Sequence, residues 1–245
     1  MAEPVIQTIG LTKIYPMGEH HITALNRVSL TFARGEFAGL VGPSGSGKTT
    51  LLNIVGTLDT PTSGQAIVMG TETSALSPLE AARLRRQNIG FIFQTFNLFP
   101  VYTVFENVEF PLLLLGLSPA ERRRRVMEAL EWVGLADRAC SRPTQLSGGQ
   151  AQRVAIARAI VKKPSIVIAD EPTANLDAEN SYNILDIMLK LNRELSITFL
   201  FATHDEKVIR YLGRKITLFD GRVAKDELLE KGGHNTHTPI SGKVP

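Results

Sequence analysis

A glycine-rich segment at residues 42–50, "GPSGSGKTT", has the residue types and spacing of a phosphate-binding loop. It fits the pattern G-x-x-x-x-G-K-[ST] through Gly42, Gly47, Lys48 and Thr49. We expect backbone N–H groups to surround the phosphates, Lys48 to bridge the terminal ones and the Thr49 hydroxyl to bind Mg²⁺. The predicted phosphate-binding residues are Gly42, Pro43, Ser44, Gly45, Ser46, Gly47, Lys48, Thr49 and Thr50.

Two adjacent carboxylates, Asp170 and Glu171, follow the apolar run "SIVIA". Ligands of open α/β sheets bind where the strands end. We therefore expect Asp170 to contact Mg²⁺ indirectly and Glu171 to orient and deprotonate a water molecule. An acidic turn before Pro172 would explain the same two residues. The phosphate-binding loop favours the catalytic interpretation.

Three further side chains are candidates for the same site. Gln94 follows the run "IGFIF" and is placed to reach the metal or the attacking water. His204 follows "ITFLFAT" and is placed to donate to a terminal phosphate oxygen, and Tyr15 is a candidate for stacking on adenine. Each also has an ordinary explanation, as a surface amide, a structural histidine and an edge-strand aromatic.

The segment "LSGGQ" at residues 146–150 predicts a second anion-binding position. Ser147 suits a helix N-cap, Gly148 and Gly149 leave the backbone accessible, and good helix formers follow. Since residues 42–50 already form a better phosphate cradle, the question is what this second position binds.

Four apolar runs predict the strands that position these residues. None alternates with polar residues, so both faces of each strand should be buried, as in a parallel sheet covered by helices. The runs are residues 37–42, 89–93, 165–169 and 197–203. Residues 4–41 predict short strands broken by turns, and residues 215–223 predict a closing hairpin that turns at Asp220-Gly221.

Helix signals occupy most of the remaining chain. "SPLE" at residues 77–80 and "SPAE" at residues 118–121 each predict a capping box with proline at the first helical position. Residues 49–58 predict the helix that leaves the phosphate loop. Residues 95–163 are arginine-rich and free of strand-like runs, which predicts a helical lobe inserted into an α/β core.

Length and composition set wide bounds. At 245 residues and 43% hydrophobic, the chain can bury the core of one large domain, and its net charge of +3 is compatible with an anionic ligand without requiring one. The single cysteine, Cys140, excludes an internal disulfide and fits a reducing compartment. We expect neither a secretion signal nor a membrane span, because "VEFPLLLLGL" is about half the roughly 20 residues that a span needs.

Taken together, these residues resemble the ATP-binding subunit of an ABC transporter over roughly residues 4–230. The shared motifs are Tyr15, the phosphate loop, Gln94, "LSGGQ", "IVIADE" at 166–171, "NLD" at 175–177 and His204. The resemblance implies a P-loop NTPase (RecA-like) α/β core with a mostly parallel sheet, an N-terminal antiparallel β subdomain and an inserted helical subdomain. The implied ATPase domain is residues 1–231, formed by about 1–94 and 164–231 with the helical subdomain 95–163, and residues 232–245 would be a disordered tail.

The resemblance also implies an activity, which is the hydrolysis of ATP with Mg²⁺. The implied catalytic residues are Glu171, His204, Gln94 and Lys48, and the residues around the metal are Thr49, Gln94 and Asp170. In this family two subunits pack head to tail, so that the second anion-binding position of one chain completes the ATP site of the other. The implied contacts across that dimer are Leu146, Ser147, Gly148, Gly149, Gln150 and Asp177.

Within the family, the segments "YPMGEHHITALNRVSL", "GTLDTPTSG" and "FNLFPVYTVFENVEFPLL" are most similar to the MacB and LolD branch. That branch implies a peripheral subunit on the cytoplasmic face of the inner membrane that drives an integral permease for export, lipoprotein release or mechanotransmission. The apolar residues 96–102, from Phe96 to Tyr102, predict the permease contact, and core packing of the helical lobe is the alternative.

Other functions stay open at this point. A small-solute importer is the nearest alternative, and an ABC ATPase that acts on DNA is a more distant one. We expect no nucleic-acid partner, because no heptad run is present and the arginines of "ERRRR" at 121–125 point all round a helix. His234 and His237 are expected to be solvated rather than metal-binding.

Overall fold

Ten strands in two sheets organise the part of the chain that the structure, a computed structural model, describes: residues 4–18 and 20–229. They are β1 (Pro4–Met17), β2 (His20–Ala33), β3 (Phe37–Val41), β4 (Ser63–Val68), β5 (Thr71–Glu72), β6 (Ile89–Ile92), β7 (Ile166–Asp170), β8 (Thr198–Ala202), β9 (Arg214–Phe219) and β10 (Arg222–Leu228). The predictions for residues 232–245, including His234 and His237, lie outside the described residues.

The larger sheet has the strand order β10-β9-β3-β8-β7-β6. Its strands are parallel except for the closing β9–β10 hairpin, which turns at Asp220-Gly221 as predicted. A smaller antiparallel sheet has the order β2-β1-β4-β5. The predicted α/β class, with a mostly parallel sheet and an N-terminal antiparallel region, is confirmed.

The central strands are buried on both faces, which explains their unbroken apolar runs. Phe37 of β3 and Phe199 and Phe201 of β8 face a core shared with the helices. Their neighbours Leu40 and Leu200 face a second core beneath the antiparallel sheet. Because β6, β7 and β8 are adjacent and parallel, their carboxyl ends lie at one edge of the sheet. The loops that contain Gln94, Glu171 and His204 begin at this edge.

The prediction of short strands over residues 4–41 is wrong for the first two elements. β1 and β2 are each 14 residues long and pair with each other along most of their length. Register shifts between Thr8 and Leu11 and again near Lys13 interrupt the alternation of buried and exposed residues. These bulges give one long strand the sequence pattern of several short ones. β4 and β5 were not predicted.

Seven α-helices pack around the sheets in the described residues. They are α1 (Lys48–Val55), α2 (Pro78–Asn88), α3 (Val104–Leu113), α4 (Pro119–Trp132), α5 (Gly148–Ile160), α6 (Ala178–Leu195) and α7 (Glu206–Ile209). No helix in this part of the chain combines the length and the apolar character needed to cross a bilayer.

Of the two predicted capping boxes, only the first is complete. Ser77 and Glu80 exchange both bonds at the start of α2. Ser118 caps α4 by accepting from the Glu121 N–H, but the Glu121 carboxylate pairs with Arg124 and Arg125 instead of returning to the cap. The prediction is wrong there because two charged partners one turn later outcompete a backbone N–H.

Residues 95–163 contain helices and no strand, as their composition predicts. Buried residues of α3, α4 and α5, such as Val108, Leu130 and Ile156, belong to the same core as one face of the large sheet. The division of the chain into subdomains at residues 95 and 163 stays a prediction, because this core is continuous across the proposed boundary.

Candidate functional site

The phosphate-binding loop joins the end of β3 to the start of α1, and its glycines have backbone reasons to be glycine. Gly42 and Gly47 have φ angles of 147° and 98°, which side chains rarely tolerate. A Cβ on Gly42 would overlap the Leu218 carbonyl oxygen, and one on Gly47 would overlap the Ala24 carbonyl oxygen. The two glycines therefore pack the loop closely against β9 and β2, while its middle residues, Pro43, Ser44 and Gly45, are exposed.

Two polar groups inside the loop are positioned to bind an anion. Lys48 Nζ donates to the carbonyl oxygens of Gly42 and Pro43, at 2.8 and 2.9 Å, so the ammonium lies across the loop. The Ser46 hydroxyl is buried and has no hydrogen-bond partner within the described residues. A buried hydroxyl is stabilised by a partner, and a phosphate oxygen in the loop would supply one.

Thr49 and Asp170 bring two oxygen ligands together beside the loop. Thr49 Oγ1 donates to Asp170 Oδ2 at 3.1 Å, which joins the start of α1 to the end of β7. Burial raises the pKa of the Asp170 carboxyl, and the neighbouring Glu171 carboxylate adds to the rise against the Thr49 bond and the Lys48 charge. A hydroxyl and a carboxylate next to a phosphate loop are the ligands that Mg²⁺ prefers.

Glu171 lies one residue further along and is held by the loop that follows β8. The Thr203 hydroxyl donates to Glu171 Oε2 at 3.2 Å, and His204 Nδ1 lies 2.6 Å from Oε1. Glu171 also has a φ of 46°, an uncommon conformation outside glycine. Such backbone strain is found where a side chain must be aimed.

Tyr15 lies beside the first turn of α1, in a small polar cluster. Its hydroxyl donates to Asp59 Oδ2 at 2.7 Å, and Lys13 Nζ lies 4.8 Å from the ring centroid. Burial and the Asp59 bond raise the pKa of Tyr15, while a bond to Thr50 lowers it. Tyr15 therefore neighbours the phosphate loop, and its stacking on adenine stays a prediction.

Gln94 is exposed and stands at the start of a loop whose backbone is fixed by two other elements. Its carbonyl oxygen accepts from Asn175 Nδ2 at 2.9 Å, which connects this loop to the "NLD" segment. Arg158 of α5 donates to the carbonyl oxygens of Phe96 and Asn97. The structure thus links Gln94 with the loop after β7, but its predicted contact with the metal stays untested.

The "LSGGQ" segment forms the N-terminus of α5, and its groups bond mainly to each other. Ser147 Oγ accepts from the Gln150 N–H at 3.3 Å, and Gln150 Oε1 accepts from the Ser147 N–H at 2.9 Å. Ser147 and Gly148 are exposed, whereas Leu146 packs partly into the core. Within the described residues, no hydrogen bond connects residues 146–150 to the phosphate loop.

The second glycine of this segment has a packing role that sequence reasoning missed. Gly149 is buried, and a Cβ there would overlap Asn180 Oδ1. Asn180 is held in turn by Asp177, which caps α6 through bonds of 2.8 Å from the Asn180 N–H and Nδ2. Gly149 thus permits α5 to approach α6, and Gly148 is left as the glycine open to a ligand.

Comparison with known proteins agrees with this geometry. Residues 25–174 match the family model described as "ABC transporter", which covers more than half of the chain. The chain belongs to the ABC transporter family. This match, with the fold and the similar proteins described next, makes it the ATP-binding cassette of that family, an ATPase.

Three similar proteins show which members of the family this ABC cassette resembles. An ABC transporter ATP-binding protein of Methanocaldococcus jannaschii, MJ0796, is 46% identical over 92% of this chain and 97% of its own length. The lipoprotein-releasing system ATP-binding protein LolD of Pseudoalteromonas translucida is 45% identical over 93% and 98%. The macrolide export ATP-binding/permease protein MacB of Burkholderia thailandensis is 45% identical, and the ABC cassette spans about a third of its length, 35%.

A solved structure of MJ0796 superposes on the ABC cassette with a TM-score of 0.84, at 45% identity and over 92% of this chain and 99% of the other. It is described as dimeric, in a post-hydrolysis state, and bound to ADP and Pi. The predicted similarity to the MacB and LolD branch is confirmed.

Several residues that support the site were not identified from the sequence. Thr203, Asp59 and Arg158 act through bonds to residues far away in the chain, and Asn180 bonds to Asp177 and packs against the distant Gly149. Thr203 directly precedes the predicted site residue His204, and Asn180 lies three residues after Asp177. Their nearness in the sequence was therefore the one available indication of a role.

Proposed function

We propose that this ABC cassette hydrolyses ATP in a dimer, in which each of two ATP sites is formed by both chains, and that it powers an integral membrane permease. The observation that carries the proposal is the separation of two anion-binding positions within one chain. Thr49 of the phosphate loop bonds to Asp170, and the neighbouring Glu171 contacts His204. The exposed Ser147 and Gly148 have no bond to that loop.

The phosphate-loop half performs the chemistry. The loop N–H groups and Lys48 stabilise the charge that spreads over the γ-phosphate as water attacks it in line. Glu171 accepts the proton of that water, while Thr203 and His204 hold its carboxylate in place. Thr49 and Asp170 would hold Mg²⁺, whose charge offsets that of the phosphates when it is bound, and Gln94 is proposed to reach the same position.

The "LSGGQ" half supplies the contact from the partner. The Ser147 hydroxyl, the exposed Gly148 N–H and the positive end of α5 face solvent and match a γ-phosphate. Leu146, Gly149, Gln150 and Asp177 shape this end of α5. ATP would then hold two subunits together, and the loss of the γ-phosphate would weaken the dimer. The dimeric structure of MJ0796 supports this arrangement.

The permease contact is proposed at residues 96–102, beside Gln94. Val101 exposes 72% of its surface, and Phe99 and Tyr102 each expose 40%, although buried Asn107 holds the segment through bonds to Phe99 and Tyr102. Exposed apolar side chains on an ordered loop mark an interaction surface. The subunit would sit on the cytoplasmic face of the inner membrane.

The similarity to LolD over nearly its whole length supports a lipoprotein-release or export system. The distant alternative, action on DNA, loses its main feature, because most of the arginine run is neutralised within the chain. Arg122 pairs with Glu109 at 2.7 Å, and Arg124 and Arg125 pair with Glu121.

The proposal is tested by measuring ATPase activity per molecule while the protein is diluted at saturating ATP and Mg²⁺. We expect the specific activity to fall as dimers dissociate, because a lone subunit lacks half of each site. A specific activity that stays constant down to concentrations at which light scattering or sedimentation shows only monomer would contradict the shared site.

A further inference from the structure

A groove of about 290 Å³ lies between β6, α3 and α5, next to the proposed permease contact. Its walls include four aromatic rings, and two cations from α5 and the segment after it line one side. These residues are Phe91, Phe93, Phe99, Phe110, Arg158 and Lys162. We name this surface the basic groove.

The positive charges of the basic groove have no carboxylate partner among residues 4–18 and 20–229. Arg85 adds a further charge close to Lys162, and neither it, Arg158, Lys162 nor the next residue of α2, Arg86, forms an ion pair in this part of the chain. Their bonds go mostly to backbone carbonyls: Lys162 Nζ to Arg85 at 2.7 Å, Arg86 to Leu114, and Arg158 to Phe96.

Partial burial makes this imbalance unfavourable. Burial lowers the pKa of Lys162 to about 8, and the Arg85 charge adds to the effect, while burial also lowers the pKa of Arg158. The Arg86 Nε atom is buried without a partner among the described residues. Half-buried cations with unused donors are stabilised by an incoming anion, and a carboxylate on an apolar segment matches both the charge and the aromatic walls.

Resting on the permease contact proposed above, we propose that the docked permease segment is a short helix with one apolar face and an Asp or Glu that pairs with Lys162. The aromatic rings receive the apolar face, and the ammonium receives the carboxylate. A protein segment fits better than a lipid headgroup, because Lys162 and Arg158 are recessed beside the aromatic walls.

The direct test is carbodiimide coupling in the complete complex of the chain with its permease, purified in detergent. Carbodiimide joins a lysine amine to a carboxylate only when the two are in contact. We expect mass spectrometry to find an amide between Lys162 and an Asp or Glu in an apolar cytoplasmic segment of the permease. In Lys162→Arg, which keeps the charge but cannot couple, the complex should persist and this amide should vanish.

Charge reversal gives the second readout, with a matched control one residue away. Lys162→Glu should reduce the permease retained per chain by about tenfold or more, with the basal ATPase activity and the Tm of the isolated chain close to wild type. Lys163→Glu makes the same charge change at an exposed lysine paired with Glu128, and should leave permease binding nearly unchanged.

Three outcomes would overturn the inference. One is full permease binding by Lys162→Glu, and another is an intact complex in which no carboxylate couples to Lys162. The third is Lys162-dependent binding of the isolated chain to phosphatidylglycerol vesicles without coupling to the permease, which would assign the groove to lipid headgroups. Val101→Asp separates the two proposals: if it abolishes permease binding while Lys162→Glu does not, the docking site stands and only the carboxylate is wrong.

Discussion

The phosphate loop and the "LSGGQ" helix both offer donors to an anion, but the chain surrounds them differently. Around the phosphate loop, side chains from the ends of β7 and β8 meet at one edge of the sheet. Some of them have unfavourable features, which are a carboxyl with a raised pKa at Asp170 and backbone strain at Glu171, and the loop itself holds the Ser46 hydroxyl, which has no hydrogen-bond partner among the described residues. The "LSGGQ" helix has a complete capping box and a packed glycine. The first region is prepared for ligand binding and catalysis, whereas the second is a stable end that acts on a partner.

The largest expected effect comes from removing the proposed base. Glu171→Gln should lower ATP turnover by about 10²–10⁴-fold, because the amide cannot accept a proton from water. It keeps a similar shape for the bonds from Thr203 and His204, so ATP binding should persist and the dimer should accumulate. Turnover assays with size-exclusion chromatography in ATP measure both, and a variant that turns over at near wild-type rate would show that Glu171 is not the base.

The next largest effect is expected from a substitution in the "LSGGQ" helix. Ser147→Arg should lower hydrolysis by roughly 10²-fold or more, the scale for losing a donor to transition-state charge, while nucleotide affinity of the monomer stays unchanged. Ser77→Arg is the matched control, since Ser77 forms the same kind of capping box on α2 and its loss costs about 0.5–2 kcal/mol of stability. An equal loss of nucleotide binding in Ser147→Arg, measured by fluorescent-nucleotide titration, would place the segment in its own chain's site.

The two glycines of the "LSGGQ" helix should separate packing from ligand approach. Gly149→Ala should destabilise the fold by about 1–3 kcal/mol, because the new methyl overlaps Asn180. Gly148→Ala meets only ordinary contacts and should leave stability nearly unchanged. Urea unfolding measures both, and Asn180→Ala added to Gly149→Ala should recover much of the loss. Equal stability of the two single variants would show that the Asn180 contact is unimportant.

The smallest expected effect concerns the charge of Asp170 beside the phosphate loop. The pKa of Asp170 is raised in the folded chain, so its protonated form contributes stability at low pH that is lost as pH rises through the folded pKa. At neutral pH the ionised group therefore destabilises the nucleotide-free fold. Asp170→Asn should therefore raise the Tm at pH 7, where each 1 kcal/mol of added stability corresponds to about 2–4 °C in a chain of this size.

Calorimetric scans from pH 7 down to about pH 4 check the sign, because the gain from Asp170→Asn should shrink toward acid as the wild-type carboxyl takes up its proton. A gain that grows toward acid, or a lower Tm at pH 7, would show that Asp170 stabilises the empty site.

The sequence was sufficient where a structural feature depends on neighbouring residues. The phosphate loop, the buried strands and the hairpin at Asp220 are all specified by short contiguous patterns. It was insufficient where separate elements compete or meet. The bulges of β1 interrupt the alternating pattern by which one long strand would be recognised. The Glu121 carboxylate pairs with two arginines instead of completing the helix cap. The packing of Gly149 on Asn180 depends on the approach of two helices, which no local pattern encodes.

The central claim, that each ATP site belongs to two chains, is tested most directly by mixing two inactive variants. Lys48→Ala disables the phosphate loop and Ser147→Arg disables the "LSGGQ" end, so a mixed dimer would carry both lesions in one site and none in the other. Random exchange in a symmetric dimer makes half of the pairs mixed, and we expect about a quarter of wild-type ATPase activity to return. Activity that remains at the sum of the two separate variants, although mixed dimers are shown to form, would contradict the account.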